Sequence, residues 1–471
     1  MRRTVPVALC LVISIELRTA QFEFGLAKLP IVIGHYRSVQ PTLQGSPARP
    51  AILAIALAAS ALLSYQAARV WLADHRIHST HLETIERGAA LEPGNADAWD
   101  LLGRHRQLDF ANADPQQELA DYQHAVQDDP LSATLWMNLA GAYEASGDLV
   151  DAQRAFDRAR DAYPLSAEVS WNYGNFLLRQ DQAAAAYAEM RHAVQSDPRL
   201  ARLAVSRVWR ASHDVNVVLD QVLPTGVDPY MQALDFFASI HQIDAALSVW
   251  RRLVSLGQPV PLPRTFPFLD ELIQEDRSAD AERVWIEALD AARIPRDEPA
   301  NHSLVCDGRF SRDFDDGGLG WRWQSNAHIG VVMSFDGVPA SFGVRSARLQ
   351  FNGGTNLGLS QPAQYIAVEP SHPYHFHAYI RTEEISTESG IRFSISDPNH
   401  DRALDLESEN LTGSHPWTAV ELDFVSPPTT HFLLLGLLRT PSRLFDNKLN
   451  GTVWIADIAL TSPPDQGSSS R

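Results

Sequence analysis

The chain has 471 residues, which is too long for one ordinary domain. Hydrophobic residues make up 45% of it and charged residues 20%, a balance typical of globular domains that bury a core. The formal net charge of −18 argues against a nucleic-acid partner, because phosphate binding needs a basic surface. We therefore expect several domains and no nucleic-acid binding.

Residues 1–50 are predicted to be a poorly defined leader. The apolar stretch from Val5 to Ile15 has the length of a signal-peptide core and is too short to span a membrane. Cys10 suggests a lipoprotein signal, but the bulky Leu9 stands where such a signal needs a small residue. With Cys306 as the other cysteine, neither a disulfide framework nor a zinc spacing is available.

A second apolar stretch predicts a transmembrane anchor over residues 51–73. It reaches spanning length only if Gln66 and Arg69 lie near the membrane interface, where an arginine can extend toward water. Basic residues outnumber acidic residues before this stretch, which keeps the N-terminus cytoplasmic by the positive-inside rule. We therefore expect a single-pass protein of a bacterial inner membrane with a periplasmic C-terminal bulk. The alternative is a helix packed on the domain that follows.

Prolines recur every 34 residues at Pro130, Pro164 and Pro198. Between them, bulky and small residues occupy regular offsets: Trp136, Leu139, Ala140, Tyr143, Ala152, Phe156 and Ala159, then Gly174 and Ala186 in the next unit. This pattern resembles the tetratricopeptide repeat, a stacked pair of helices. The resemblance implies an α-helical solenoid that binds a protein partner, with repeats in register over residues 95–198.

The solenoid is predicted to continue to residue 293 as divergent helical hairpins. Ala246 and Trp250 have the same spacing as Ala281 and Trp285, which suggests two equivalent helices. Four prolines predict a rigid loop between them, namely Pro259, Pro261, Pro263 and Pro267. The whole helical region is therefore expected to cover residues 78–293.

From residue 303 the hydrophobic pattern changes to a period of two, which is typical of strands. Residues 294–302 form a polar, proline-marked linker. Short alternating segments separated by turn residues predict an antiparallel β-sandwich of roughly eight strands over residues 303–462. Residues 463–471 are predicted to be a disordered tail.

The two ends of this domain resemble galactose-binding-like, carbohydrate-binding-module-type jelly rolls. The opening match is Asp307-Gly308-Arg309-Phe310-Ser311 followed by Gly320-Trp321, and the closing match runs from Trp454 to Leu460. The resemblance implies a polysaccharide ligand held by exposed aromatic rings; the candidates are Trp321, Trp323, Tyr379 and Trp417. Core packing is the alternative role for each of them.

The same resemblance implies a structural calcium ion near the first and last strands. Asp457 matches one acidic position of the closing motif, whereas Ser311 and Ala456 stand where acidic residues are usual. These departures argue against calcium.

No motif for nucleotide, zinc-protease, serine-hydrolase or thiol-redox chemistry is present. His375 and His377 share one face of a predicted strand, so a metal pair is geometrically allowed, but a solvated strand face is the favoured interpretation. We expect no metal and no cofactor.

The predicted function is a non-enzymatic envelope scaffold, and its architecture suggests a link to polysaccharide assembly or export. The alternative is a polysaccharide-acting enzyme that uses two carboxylates of the sandwich. A third possibility is a sandwich that caps the last helical hairpin and binds nothing.

Overall fold

The computed structural model describes residues 48–109, 114–295, 303–323, 330–337 and 345–462. Helices occupy the first part of the chain and antiparallel sheets the second, which confirms the predicted order of α then β. The leader before residue 48, most of the predicted linker and the predicted tail lie outside the described residues. The chain divides into two compact units between Ala73 and Asp74.

The first helix, α1, runs over Ala48–Ile77 and is longer than the predicted anchor. The most apolar 18-residue window of its segment Pro50–Ile77 has a mean hydropathy of 1.8, and no residue of that window is buried. Leu53, Ile55 and Leu57 are among the exposed side chains. By length and composition this helix can cross a membrane, and a signal sequence would satisfy the same criterion.

Helices continue to Ala291 and pack mostly as sequential pairs. The longer ones are α2 (Leu82–Leu91), α3 (Ala96–Leu108), α4 (Pro115–Asp128), α5 (Ala133–Ser146), α6 (Leu149–Ala162), α7 (Ala167–Arg179), α8 (Ala183–Ser196), α9 (Ala201–Ser212), α10 (Val227–Ser239), α11 (Ile243–Ser255), α12 (Phe266–Gln274) and α13 (Ser278–Ala291). Short helical turns at Pro198–Leu200, Val215–Val217, Val218–Val222 and Leu262–Thr265 connect some of them.

Small residues lie where paired helices approach each other. A β-carbon at Gly174 would lie 3.1 Å from Met190 Cγ and 3.2 Å from the Ala186 carbonyl oxygen. The repeat residues that are buried are Leu139, Ala140, Ala152, Phe156, Ala159, Gly174 and Ala186. Trp136 and Tyr143 are half-buried, while Pro164 and Pro198 lie in exposed turns between repeats. These positions suit a stack of helical hairpins with a continuous core.

The region after residue 200 departs from the predicted proline loop. Pro267 lies in the first turn of α12, and Pro263 lies in the short helix Leu262–Thr265. Proline suits the start of a helix because its missing N–H has no partner there and its φ angle is already helical. Two of the four prolines that predicted a loop, Pro263 and Pro267, therefore mark the starts of helices.

The strands are β1 (Val331–Gly337), β2 (Arg345–Asn352), β3 (Ala363–Ala367), β4 (Pro373–Ile385), β5 (Arg392–Ser396), β6 (Asp405–Glu407), β7 (Gly413–Val425), β8 (Phe432–Leu438) and β9 (Asn450–Thr461). They form a five-stranded sheet of order β1-β2-β9-β4-β7 and a four-stranded sheet of order β3-β8-β5-β6. Neighbouring strands in both sheets run antiparallel. Apolar side chains from both sheets share one core.

The sandwich is docked on the last helical hairpin. Phe432 of β8 is fully buried within the hydrophobic core of the helices, where Leu319 also lies. Polar contacts surround this seam: Asn399 Nδ2 donates to the Ile273 carbonyl oxygen at 2.7 Å, and His431 Nδ1 lies 2.6 Å from Asp276 Oδ2. The helical and strand regions therefore share a continuous packed interface.

Candidate binding surfaces

The first helices of three successive repeats lie side by side, and we call α3, α5 and α7 the first-helix row. Asn138 Nδ2 of α5 donates to Asp100 Oδ1 of α3 at 2.6 Å. Arg179 of α7 donates through Nε and Nη2 to the two carboxylate oxygens of Glu144 on α5, at 2.6 and 2.7 Å. These bonds fix the spacing of neighbouring helices in the row.

Gly141 opens a gap in the middle of this row. It lies inside α5, and a β-carbon built on it would find no atom within 4 Å. Met137 and Glu144 flank it on the same face of the helix at spacings of four and three residues, and both are half-buried. A glycine inside a helix lowers the stability of the fold by about 1 kcal/mol relative to alanine. No neighbouring atom requires a glycine at position 141, so packing within the protein does not explain this cost.

The bonding between repeats extends beyond the region of clear sequence register. Arg277 Nη2 of the turn before α13 pairs with Asp244 Oδ1 of α11 at 3.2 Å. Trp250 Nε1 donates to Glu287 Oε2 at 2.7 Å. Like the bonds in the first-helix row, these connect residues roughly one repeat apart, so α11 and α13 stack in the manner of the earlier hairpins.

A second surface lies on the outer face of the five-stranded sheet and is centred on Trp454 of β9. The guanidinium carbon of Arg381 lies 4.5 Å from its ring centroid, and that of Arg348 lies 5.7 Å away. Its indole N–H donates to Asp336 Oδ2 at 2.9 Å. We call Trp454, Arg348, Arg381 and Asp336 the Trp454 cluster. Guanidinium groups over the ring favour an anionic ligand over simple stacking of a neutral sugar.

Of the four predicted sugar-stacking residues, Trp321 is buried, whereas Tyr379 and Trp417 lie on the paired strands β4 and β7. Trp321 is only 3% exposed, and its ring packs against Phe310 and Phe314 at centroid distances of 5.5 and 6.0 Å, so it offers no face to a sugar. Trp321 therefore has the alternative role, which is packing in the core of the sandwich. Sequence reasoning missed Trp454, although its alternation with the buried Val453 and Ile455 marks it as facing the opposite side of the strand.

The other three candidates for sugar stacking are half-buried. Trp323 lines a cleft that Tyr365 and Gln361 also line, and its backbone N–H donates to Asp316 Oδ1 at 2.6 Å. Tyr379 is half-buried on β4, where its ring meets His377 edge-on at 4.9 Å. Trp417 is half-buried on the edge strand β7 beside a register shift between β4 and β7. Tyr379 lies on β4 two residues before Arg381, which belongs to the Trp454 cluster.

The acidic residues at the ends of the domain are engaged by protein groups. Asp307 accepts hydrogen bonds from the backbone N–H of Ser311 at 2.6 Å and of Arg312 at 3.1 Å. Asp457 pairs with Arg309 Nε at 3.1 Å. This donor set does not fit the calcium site that the resemblance implies, because these carboxylate oxygens are directed at N–H groups.

The alternative of a polysaccharide-acting enzyme needs two carboxylates of the sandwich, and three of its acidic residues pair with arginines. Asp315 pairs with Arg312 at 2.9 Å, and Glu407 pairs with Arg392 at 2.7 Å. Glu383 lies 3.3 Å from Arg381. Each of these three carboxylates therefore lies in an ion pair with an arginine.

Cys306 lies at the seam between helices and sandwich. It accepts a hydrogen bond from Trp285 Nε1, with a nitrogen–sulfur distance of 3.4 Å. Burial raises the pKa of its thiol, which leaves it protonated and unreactive at neutral pH. It therefore acts as a small packing residue.

Neither a family model nor a curated protein matches the chain. Solved structures similar to part of it include the crystal structure of MamA, with a TM-score of 0.25 and 13% identity over 37% of this chain and 85% of that chain. Another comes from the functional characterization of Pseudomonas aeruginosa PilF, with a TM-score of 0.27 and 17% identity over 40% of this chain and 90% of that one. At these TM-scores the two matches do not establish a family. The helical repeats and the C-terminal β-sandwich are defined by this chain's own geometry.

Proposed function

We propose that this protein is a non-enzymatic scaffold that holds a protein partner on its first-helix row. The observation that carries the proposal is the open gap at Gly141, in the middle of three helices whose spacing is fixed by polar bonds. A partner's backbone or side chain can approach the helix closely there. Stacked helical hairpins commonly bind partners on such extended surfaces.

The chemistry around the gap suits a peptide segment of the partner. Met137 offers a flexible apolar side chain, which adapts to different shapes. Glu144 and Arg179 offer both charge signs, and Arg179 is 54% exposed. Such a mixture can pair with the polar backbone of an extended segment while burying one apolar side chain.

The test compares co-purification by the full chain and by two variants expressed in membranes. The β-carbon of Gly141→Arg falls in open space, so we expect the fold to be retained and partner recovery to fall at least about tenfold. Asp161→Arg, at an exposed position of the second helix α6, is the matched control and keeps normal recovery. Equal recovery with Gly141→Arg and the native chain would reject the first-helix row as the binding surface.

We further propose that α1 anchors the scaffold in a bacterial inner membrane, with the bulk of the chain periplasmic. The exposed apolar length of Pro50–Ile77 supports this proposal. We expect the full chain to stay with membranes through alkaline extraction and to be digested by protease added to spheroplasts. A chain that is released from membranes intact, or is protected from the protease, contradicts the anchor or its orientation respectively.

For the sandwich we propose an acidic polysaccharide as ligand, which links the scaffold to polysaccharide assembly or export. The support is the pair of guanidinium groups around Trp454, since arginine binds carboxylates through two parallel hydrogen bonds. Polygalacturonate should bind the full chain at physiological salt, and dextran should not. Arg381→Gln should abolish that binding, whereas Arg443→Gln, at an exposed loop position, should leave it intact. Equal retention of both polymers, or of polygalacturonate by Arg381→Gln, would count against the Trp454 cluster.

A further inference from the structure

Two histidines and two carboxylates form a square on the outer face of the five-stranded sheet. His375 and His377 are two residues apart on β4, and the β7 residues directly opposite them are Asp423 and Glu421. His375 Nδ1 lies 2.8 Å from Asp423 Oδ1, and His377 Nδ1 lies 3.6 Å from Glu421 Oε1. We call these four residues the His–carboxylate square.

The square gathers enough ligand atoms for a transition metal. One atom each from His375, His377 and Glu421 lie within 4.8 Å of one another. Tetrahedral zinc, with bonds of about 2.0–2.2 Å, brings its ligands to about 3.4 Å from one another, so rotation of the side chains is sufficient. Two imidazoles with one or two carboxylates are a donor set that zinc and copper prefer, and calcium does not.

The backbone under the square is held rigidly. Tyr374, Phe376 and Ala378 alternate with the two histidines and are buried in the sandwich core. β4 is also paired on its other side with β9, where small residues, Thr461 and Ala459, stand opposite His375 and His377. The ring of His377 is further supported edge-on by Tyr379 at 4.9 Å. Small neighbours leave room for the ion, and the fixed backbone limits the entropy cost of binding it.

Two cross-strand ion pairs are the competing interpretation of the same residues. The carboxylates are mainly exposed, since the side chain of Asp423 is 85% and that of Glu421 61% accessible. Ion pairs alone would put each histidine with its own carboxylate, and they do not require ligand atoms of both histidines and Glu421 to lie within 4.8 Å of one another. This three-way proximity is what favours a shared ion.

We propose that the His–carboxylate square binds one divalent transition-metal ion, with zinc as the natural candidate. His375, His377 and Glu421 are the ligands, and Asp423 either completes the shell or orients His375 from outside it. The remaining position faces solvent on the open side of the sheet. A site of this kind lies outside the proposed scaffold and polysaccharide functions, and its presence depends on neither.

The test is calorimetric titration of the metal-free full chain with Zn²⁺, followed by Co²⁺, whose visible absorption reports the ligand set. The native chain should take up one ion, and His375→Gln/His377→Gln should weaken the affinity at least about tenfold. His372→Gln is the matched control, because His372 belongs to the same His-Pro-Tyr-His-Phe-His sequence but lies before β4. It should bind like the native chain.

A second candidate cluster makes a further control necessary. His241, Glu271 and Glu275 also bring three ligand atoms within 4.8 Å of one another, in the helical region. His241→Gln should leave the Zn²⁺ affinity unchanged if the square is the site. Glutamine at 375 and 377 preserves a hydrogen-bonding side chain, and Glu421→Gln provides a second, milder loss. Failure of the native chain to bind Zn²⁺, or equal binding by the double variant, would overturn the proposal.

Discussion

At the scale of single residues, Arg439 is the most constrained side chain of the sandwich. It is 1% exposed, and its donors reach only uncharged acceptors, among them the carbonyl oxygens of Ser389 at 3.0 Å and Asn447 at 3.3 Å, and Thr387 Oγ1 at 3.2 Å. Burial lowers its pKa, although an arginine remains protonated at neutral pH. One guanidinium group therefore ties together three loops at one end of the sandwich.

Replacement of this arginine should be severe. Arg439→Met leaves several buried carbonyl oxygens without donors, each at a cost of about 1–3 kcal/mol, so we expect a loss of at least about 3 kcal/mol in the free energy of unfolding. Urea unfolding followed by tryptophan fluorescence measures this loss. Arg443→Met, in the exposed part of the neighbouring loop, should change stability by less than about 0.5 kcal/mol. Similar losses for both variants would contradict the role given to Arg439.

Two helix-interior glycines should respond in opposite directions to the same substitution. Gly141→Ala should stabilise the protein by about 0.5–1 kcal/mol, because alanine is the better helix former and the space is open. Gly103→Ala should destabilise it by about 1–3 kcal/mol, because the new methyl group would lie 2.9 Å from the ring of Tyr122. Melting temperatures of the two variants test this directly, and a shift of the same sign in both would show that the packing around one glycine is wrong.

At the scale of helices and strands, the repeat was predictable because its determinants are local in sequence. Trp136 Nε1 donates to the Pro130 carbonyl oxygen at 2.9 Å, and Trp99 Nε1 donates to that of Pro93 at 2.8 Å. In both repeats the tryptophan side chain is hydrogen-bonded to the proline six residues earlier, in the turn that precedes the helix. The third repeat has Ser170 at that offset, which explains why its sequence match is looser while its helices still form.

The candidate surfaces were harder to predict because they depend on pairing between distant segments. Glu421 and Asp423 face the two histidines only through the register of β4 against β7, which alternation within one strand does not specify. Trp321 shows a second limit: the sequence allowed both sugar stacking and core packing for this tryptophan, and its ring completes an aromatic core with Phe310 and Phe314. Period-2 alternation predicts that a residue faces one side of a sheet, and it does not say what covers that side.

At the scale of the whole molecule, the docking of sandwich on helices depends on a loop organised by Asp397. Thr430 Oγ1 donates to its carboxylate at 2.5 Å, and the backbone N–H groups of Asn399 and His400 each donate at 2.9 Å. The side chain of Asn399 then reaches Ile273 and Asp276 of the last helical hairpin. Burial alone raises the pKa of Asp397, and these hydrogen bonds lower it. The hydrogen bonds together outweigh burial, so the pKa of Asp397 lies below its ordinary value.

The stability of this seam should therefore depend on pH. A carboxylate whose pKa is lower in the folded than in the unfolded state stabilises the fold above its ordinary pKa of 3.8, and this contribution is lost as the pH falls through the folded-state pKa. At pH 7 Asp397→Ala should cost about 1–3 kcal/mol in urea unfolding, and its difference from the native chain should shrink steadily below pH 4. Asp401→Ala, exposed in the same loop, should cost little at either pH. A pH-independent loss for Asp397→Ala would mean that packing, not its charge, holds the loop.

The proposed scaffold function depends on the first-helix row as the surface where a partner is held. The most direct measurement replaces Gly141 in the full chain with a photo-crosslinking residue and compares it with the same replacement at Asp161. We predict one defined protein adduct from position 141 that mass spectrometry identifies repeatedly, and none above background from position 161. An identical set of adducts from both positions, or no adduct from position 141, would contradict the proposed scaffold.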